Sequence, residues 1–281
     1  MRDRSPTTTA TTGTGTGTVD GITGAGTDLI TVSGLSHRFA QPDGTALTVL
    51  DDVSLTINEG EFVAIVGPSG CGKTTLLNVM SGLEEPTAGT VSLRGRPPVA
   101  GAPGLGYLFA RDTLLPWRTV LGNAELAMEL RGVGKAERRE RAREFLAAVG
   151  IDGFLDAYPA QLSQGMRQRA AIARTLADQP SVLFLDEPFS ALDAHTKLQL
   201  QDTFAGLWQG LGSTVVLITH DLGEAIGLAD RVVVFTKRPG RIKTIFDVDL
   251  PRPRSMMELQ GDDRFHRTYE MLWNQLRDEV G

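Results

Sequence analysis

Gly67-Pro68-Ser69-Gly70-Cys71-Gly72-Lys73-Thr74, followed by Thr75, is the stretch of the chain that decides its fold. It fits the pattern G-x-x-x-x-G-K-[S/T] at every fixed position. The preceding residues, 61–66, form a short apolar run typical of a buried parallel strand, and residues 74–80 have the pattern of a helix. The stretch is therefore predicted to be a loop that joins a buried strand to the N-terminus of a helix.

Such a loop is an anion site, because its backbone N–H groups point inward and the helix dipole adds positive potential. The three glycines of the pattern allow backbone angles and close approaches that a Cβ would block. We expect Lys73 to neutralise the β- and γ-phosphates of a nucleotide, and the Thr74 hydroxyl to ligate Mg²⁺. An ordinary glycine-rich turn with a surface lysine is the alternative, and the flanking strand and helix argue against it.

Length and composition favour a globular protein. The chain has 281 residues, of which 41% are apolar, and a formal net charge of -6. This length suits one large domain or two modest ones, and the negative charge argues against nucleic acid as the main partner. No run approaches the ~20 apolar residues that would cross a bilayer.

The segment 1–27 is dominated by threonine and glycine, and we expect it to be a disordered tail because it has little apolar surface to bury. It lacks the apolar region of a secretory signal. The only cysteine, Cys71, lies in the glycine loop, so disulfides within the chain are excluded and a reducing cytoplasm is expected. A redox-sensing Cys71 is the alternative to a small residue tolerated by the loop.

Residues 182–187 form an apolar strand that ends in two carboxylates, Asp186 and Glu187. In a parallel sheet, ligands bind beyond the C-terminal ends of the strands, where the glycine loop also lies. We expect Asp186 to hold the Mg²⁺ shell and Glu187 to orient or deprotonate an attacking water. His220 ends a further apolar strand, 214–220, which favours an active-site role over a purely structural one.

A helix is predicted to begin after Ser163, which is a good N-cap residue, so Ser163 and Gly165 mark a second potential anion site. Local physics does not distinguish this from a simple capped helix. Helical periodicity also covers about 119–155, where we expect Val120, Ala124, Leu126, Ala127 and Leu130 to share an apolar face. A C-terminal helix over 262–280 is expected to pack back through Phe265, Tyr269, Leu272, Trp273 and Leu276.

Taken in order, these motifs resemble the nucleotide-binding subunit of an ATP-binding cassette (ABC) transporter, over about 29–254. The resemblance implies an α/β fold: a P-loop NTPase (RecA-like) core with an antiparallel β subdomain and an α-helical insert. The implied domains are the tail 1–27, an ATPase domain over 28–254 with the insert at about 111–165, and a C-terminal helical extension over 255–281.

The resemblance also implies the site residues. Those expected to bind ATP are Phe39, Gly67, Pro68, Ser69, Gly70, Cys71, Gly72, Lys73, Thr74, Thr75, Ser163, Gly165 and Asp193. Ser163 and Gly165 would serve the partner subunit's nucleotide, and Phe39 would stack on adenine unless it is a core residue. Thr74 and Asp186 would hold Mg²⁺, and Lys73, Glu187 and His220 would be catalytic.

The implied assembly is a homodimer of cassettes, with two transmembrane permease subunits and, indirectly, a solute-binding protein. The resemblance also implies that this assembly hydrolyses ATP at the cytoplasmic face of the membrane. The segments 114–120, 238–242 and 249–254 resemble the nitrate, sulfonate and taurine importer branch, although importers of other small molecules, such as pyrimidine precursors, are similar. Trp117 is expected to grip a permease unless it packs within the cassette.

The chain departs from the family pattern at three positions: Ala110 replaces the usual glutamine, Gln164 the usual first signature glycine, and Met166 the usual signature glutamine. A methyl group cannot contact Mg²⁺ or water as an amide does, so we expect slower or differently coupled hydrolysis. An ATP-binding regulator is therefore an alternative function. A P-loop kinase and a soluble cassette ATPase of DNA repair or translation fit the motif order less well.

Overall fold

Two β-sheets carry the framework in a computed structural model that describes residues 28–190 and 192–280. The predicted tail, 1–27, lies outside the described residues. The strands are β1 (Asp28–Ala40), β2 (Ala46–Asn58), β3 (Phe62–Val66), β4 (Ala88–Leu93), β5 (Leu105–Leu108), β6 (Val182–Asp186), β7 (Thr214–Ile218), β8 (Arg231–Phe235) and β9 (Ile242–Asp247). The α-helices are α1 (Lys73–Met80), α2 (Val120–Ala124), α3 (Leu126–Leu130), α4 (Lys135–Ala148), α5 (Gln164–Ala177), α6 (Ala194–Leu211), α7 (Leu222–Leu228), α8 (Met256–Leu259) and α9 (Asp263–Val280).

The larger sheet has six strands in the order β5-β6-β7-β3-β8-β9. All neighbours run parallel except β8 and β9, which are antiparallel. Every residue of β3, β6 and β7 is buried. Both faces of this sheet are covered by other elements, which is why these strands are continuous apolar runs instead of alternating ones.

The smaller sheet is antiparallel, with the order β2-β1-β4. Its buried face packs with α1 and one face of the larger sheet in a shared core that includes Leu50, Ile57, Ile65 and Leu76. The opposite face of the larger sheet packs against the remaining helices. The predicted fold class, an α/β P-loop NTPase with an antiparallel β subdomain and a helical insert, is confirmed.

Helices α2 to α5 lie between β5 and β6 in the chain. The apolar face that the sequence predicts over 120–130 is partly wrong. Val120 and Ala124 are buried, but Leu130 is 80% exposed. The helix is divided into α2 and α3, and the buried Asn123 side chain donates to the carbonyls of Leu115, Arg118 and Thr119. This anchoring of the preceding loop sets the direction of α2, and Leu130 lies on the outer side of α3.

The C-terminal helix is amphipathic, as expected, but its buried face is narrower. Phe265, Leu272 and Leu276 are buried in the core, whereas Tyr269 and Trp273 are 40% and 47% exposed. Leu272 is four residues before Leu276, one helical turn apart, so a single stripe contacts the core. Across the two described ranges, no helix combines the length and apolar character needed to cross a bilayer.

The docking of α9 predicts a strong difference between two neighbouring substitutions. Leu272→Ala removes a fully buried side chain and is expected to lower the free energy of unfolding by about 2–5 kcal/mol. Met271→Ala is the control, because Met271 is 52% exposed on the same helix; its effect should stay within about 0.5 kcal/mol. Urea unfolding followed by circular dichroism measures both, and equal effects would contradict the packing described.

Candidate nucleotide site

The sheet register brings the glycine loop and the acidic strand end to one edge. Ile218 of β7 pairs with Ile65 of β3 on one side and with Asp186 of β6 on the other. The three strands are parallel, so the loop that follows β3 and the carboxylate that ends β6 leave the sheet at the same level. Ligands of open parallel sheets bind beyond this edge.

Lys73 lies inside the loop that it closes. Its ammonium donates to the carbonyl oxygens of Gly67 and Pro68, at 2.8 and 2.9 Å, and the residue is 6% exposed.

Cys71 is also buried, and burial raises the pKa of its thiol. Reactive cysteines are exposed and have lowered pKa values, so the structure favours the packing interpretation of Cys71 over the redox one.

Thr74 and Asp186 meet across the site. The Thr74 hydroxyl is 3.1 and 3.2 Å from the two carboxylate oxygens of Asp186. The pKa of Asp186 lies above its ordinary value, and burial is the main cause. The hydrogen bond from Thr74 and the charge of Lys73 act in the opposite direction, while the charge of the neighbouring Glu187 raises the pKa further. A hydroxyl and a carboxylate are the hard oxygen donors that Mg²⁺ prefers, so these two residues fit that ion.

Glu187 is held in a backbone conformation that is rare for a glutamate. Its φ is 46°, and its N–H donates to the Ile218 carbonyl at 2.9 Å. Left-handed backbone at a non-glycine residue is costly and concentrates at functional sites. The conformation directs the side chain toward His220, whose Nδ1 is 3.1 Å from Glu187 Oε2.

One cavity of about 390 Å³ collects many of the sequence-predicted site residues. Its lining includes Phe39, Ser69, Gly70, Gly72, Lys73, Thr74, Thr75 and Glu187. Phe39 is 38% exposed, so it is not a core phenylalanine, and its ring is available at the rim. The volume lies within the ~300–1,000 Å³ of ordinary ligand pockets.

Six predicted nucleotide contacts do not belong to the described lining of this cavity. Gly67, Pro68 and Cys71 are members of the glycine loop whose other residues line it, whereas Ser163, Gly165 and Asp193 belong to other parts of the chain. Ser163 accepts a hydrogen bond from the Met166 N–H and caps α5, while Asp193 accepts from the Thr196 N–H and caps α6. Ser163 is exposed, so the N-terminus of α5 is open to a second molecule.

Gly240 supports the glycine loop and was not singled out as a site residue from the sequence. Its N–H donates to the Val49 carbonyl at 2.8 Å, and a Cβ at Gly240 would clash with the Cys71 carbonyl oxygen. The Pro239-Gly240 dipeptide is a turn signal, but only the tertiary structure shows that this turn presses on the loop.

Two arginines of α5 hold the segment that follows Ala110. Arg174 donates to the carbonyls of Thr113 and Asp112, at 2.8 and 3.1 Å, and Arg167 pairs with the Asp112 carboxylate at 3.0 Å. Ala110 itself is exposed. Trp117, a few residues further along, is 71% exposed, so the alternative that it packs within the cassette is wrong.

The model of the ABC transporter family matches residues 50–190, which include the glycine loop, Ser163 and the Asp186-Glu187 pair. The chain belongs to this family. An uncharacterized ABC transporter ATP-binding protein of Methanocaldococcus jannaschii is 48% identical, over 85% of this chain and 88% of its own length. As a member of the ABC transporter family, the chain is a nucleotide-binding ATPase coupled to transport.

Relatives with assigned transport roles are also similar. A nitrate transport protein of Klebsiella oxytoca is 42% identical over 87% of this chain and 94% of its own length. A bicarbonate transport ATP-binding protein of Synechocystis sp. is 42% identical over 90% of this chain and 93% of its own length. A solved ATP-binding cassette, a dimer in a post-hydrolysis state bound to ADP and Pi, has a TM-score of 0.72 at 31% identity, over 79% of this chain and all of that one.

The contact between Gly240 and the glycine loop predicts a loss of nucleotide affinity in this ABC cassette. Gly240→Ala places a methyl group against a backbone oxygen that has little room to move, so the affinity for a fluorescent ATP analogue should fall by at least about tenfold. Gly206→Ala is the matched control, since no described atom beyond its chain neighbours and its own helix backbone lies within 4 Å of a Cβ there. Unchanged affinity in Gly240→Ala would show that the loop tolerates this displacement.

Proposed function

We propose that this chain is the ATP-hydrolysing subunit of an importer of small inorganic anions such as nitrate or bicarbonate. The observation that carries the proposal is the single cavity that joins Lys73, Thr74 and Glu187, with Asp186 in contact with Thr74. Phosphoryl transfer to water depends on positioning and charge neutralisation, and this cavity offers a cation, hard oxygen ligands and a carboxylate in reach of one another.

The glycine loop binds the phosphates of ATP. Residues 67–75 offer backbone N–H groups at the start of α1, and Lys73 transfers its hydrogen bonds from the loop carbonyls to phosphate oxygens. Phe39 at the rim stacks on the adenine ring. Thr74 and Asp186 hold Mg²⁺, which when bound neutralises charge on the β- and γ-phosphates.

Hydrolysis depends on Glu187 and His220. Glu187 orients the attacking water and accepts its proton, and His220 positions the carboxylate through the 3.1 Å contact. The left-handed backbone of Glu187 fixes the direction in which the carboxylate leaves the sheet. Asp186 ends the strand one residue earlier, so the metal ligand and the base are placed by the same strand.

A second copy of the chain completes the site. Ser163 and Gly165 are absent from the described lining of the cavity in their own subunit, and the exposed N-terminus of α5 is suited to a γ-phosphate. Asp193 lies in the loop before α6 and would also contribute at this interface. The dimeric state of the similar solved cassette supports two subunits closing over two ATP molecules.

The partners proposed outside the dimer are two permease subunits at the cytoplasmic face of the membrane and, through them, a solute-binding protein. Exposed apolar side chains mark the face for a permease, because Trp117 and Leu130 are 71% and 80% exposed on the helical part between β5 and β6. Arg174 and Arg167 of α5 hold the segment after Ala110, which leads along the chain to Trp117.

The nitrate and bicarbonate relatives support a small inorganic anion as the solute. Sulfonates and taurine belong to the same proposed branch but receive their support only from the sequence resemblance. An ATP-binding regulator with weak hydrolysis is the second candidate, and the observation that favours it is the exposed methyl group of Ala110 at the usual glutamine position.

Reconstitution tests the proposed importer. The chain is assembled in liposomes with the permease that co-purifies with it and the matching solute-binding protein. ATP hydrolysis is expected to be faster when nitrate or bicarbonate is added, and the liposomes should accumulate the labelled anion.

Glu187→Gln should retain ATP binding but lower the rate of hydrolysis by ~10²–10⁴-fold, and anion uptake should fall with it. Glu85→Gln, an exposed glutamate, is the control. Hydrolysis that neither anion stimulates would count against the importer, and no hydrolysis would favour the regulator.

Ala110→Gln tests the role of the missing amide. The longer side chain restores a group able to contact water and Mg²⁺, so the ATPase rate and its stimulation by the permease should rise. Ala102→Gln, a substitution of the same size in the preceding loop, should leave both quantities unchanged. Identical behaviour of Ala110→Gln and the unchanged chain would show that the methyl group does not limit coupling.

A further inference from the structure

The last turns of α9 contact the turn that joins β8 to β9, residues 236–241. The Glu279 carboxylate accepts hydrogen bonds from the Lys237 N–H at 3.0 Å and from the Lys243 ammonium at 2.9 Å. The same ammonium donates to the Gln275 carbonyl at 2.8 Å. Lys237 lies at the start of the turn and Lys243 follows it in β9, so one carboxylate holds both limbs of the turn.

Glu279 is bound as a charged group in a partly shielded place. The side chains of Glu279 and Lys243 are 14% and 23% exposed. The hydrogen bonds from the Lys237 N–H and from Lys243 lower the pKa of Glu279, so the carboxylate is ionised at neutral pH. A surface ion pair alone contributes little to stability, so the importance of this contact lies in the piece of backbone that it fixes.

Internal hydrogen bonds make the turn a single unit. The Thr236 N–H donates to the Arg241 carbonyl at 3.0 Å, and the Arg241 N–H donates to the Thr236 hydroxyl at 3.0 Å. The same hydroxyl is 3.2 Å from the Pro239 carbonyl oxygen, to which it donates. A restraint applied at Lys237 is therefore passed on to Gly240 at the other end of the turn.

The opposite side of the turn presses on the surroundings of the glycine loop. The Gly240 N–H donates to the Val49 carbonyl at 2.8 Å, and the Gly240 carbonyl accepts from the Asp51 N–H at 3.1 Å. Arg241 pairs with the Asp51 carboxylate. The space between Gly240 and the Cys71 carbonyl is too small for a Cβ. The turn therefore lies between α9 on one side and the glycine loop on the other.

We propose that Glu279 is a positioning residue for the glycine loop, which it holds in place through the turn 236–241. The loop binds phosphate with backbone N–H groups, so its affinity depends on where its backbone lies. This inference rests on the proposed role of the loop in binding ATP. Because coupling between two sites is reciprocal, nucleotide in the loop would in turn stabilise the contacts at the end of α9.

Hydrogen exchange of the full chain, measured without nucleotide, tests the proposal. Glu279→Ala releases the turn, so amide exchange should become at least about threefold faster in peptides that cover 236–243 and 67–75. Glu270→Ala is the matched control, because it removes the same charge from an exposed position of the same helix. It should leave exchange in both segments unchanged.

Affinity for the fluorescent ATP analogue is the second measurement. Glu279→Ala should weaken binding by about threefold or more, whereas Glu270→Ala should bind like the unchanged chain. Glu279→Gln keeps an oxygen for the Lys237 N–H and should recover most of the affinity. A contact that only fastens α9 would change the exchange of that helix without changing the glycine loop or the affinity.

Two results would overturn the proposal: faster exchange that stops short of 67–75, or an affinity of Glu279→Ala equal to that of Glu270→Ala. Circular dichroism verifies that the variants fold. If Glu279→Ala did not fold, Lys243→Met would take its place with the same expected and contrary results, because it removes one of the two donors to Glu279. If the unchanged chain failed to bind the analogue, the proposed nucleotide site would be wrong, and the exchange measurement alone would decide whether Glu279 positions the loop.

Discussion

The contact between the Thr74 hydroxyl and the Asp186 carboxylate, at 3.1 and 3.2 Å, is the interaction on which the nucleotide site depends. It joins two strands, β3 and β6, that are not neighbours in the sheet. Strand β7 lies between them and aligns Ile65, Ile218 and Asp186 in one row. The parallel register therefore decides where the glycine loop meets the acidic residues.

The same geometry makes the site receptive to a cation. Asp186 is 8% exposed, and burial raises its pKa because a carboxylate loses solvation there. The Thr74 hydroxyl and the nearby Lys73 offset only part of this loss of solvation. The divalent metal of the proposed site would supply the missing positive charge, and the phosphates of the proposed nucleotide would give Lys73 partners other than its own loop carbonyls.

Sequence reasoning was most successful where the chemistry is local. The glycine loop, the apolar run before Asp186 and the N-cap at Ser163 are each specified by a few adjacent residues, and the structure has them at those places. Sequence did not show that Gly240 presses on the loop or that Glu187 has a φ of 46°, because both follow from strands that are distant in the chain. Leu130 and Trp273 were misplaced because helical spacing does not reveal which side of a helix has a neighbour.

The central claim is that each nucleotide is shared between two copies of the chain, and mixing two defective variants tests it most directly. Lys73→Ala removes the phosphate-binding cation, while Ser163→Asp keeps a good N-cap but places a negative charge against the phosphate. Each variant alone should be inactive in the assembled transporter. The account predicts that co-assembled variants regain ATPase activity, because one site then combines an intact Lys73 with an intact Ser163 from the other subunit. A mixture as inactive as its components would contradict the shared site.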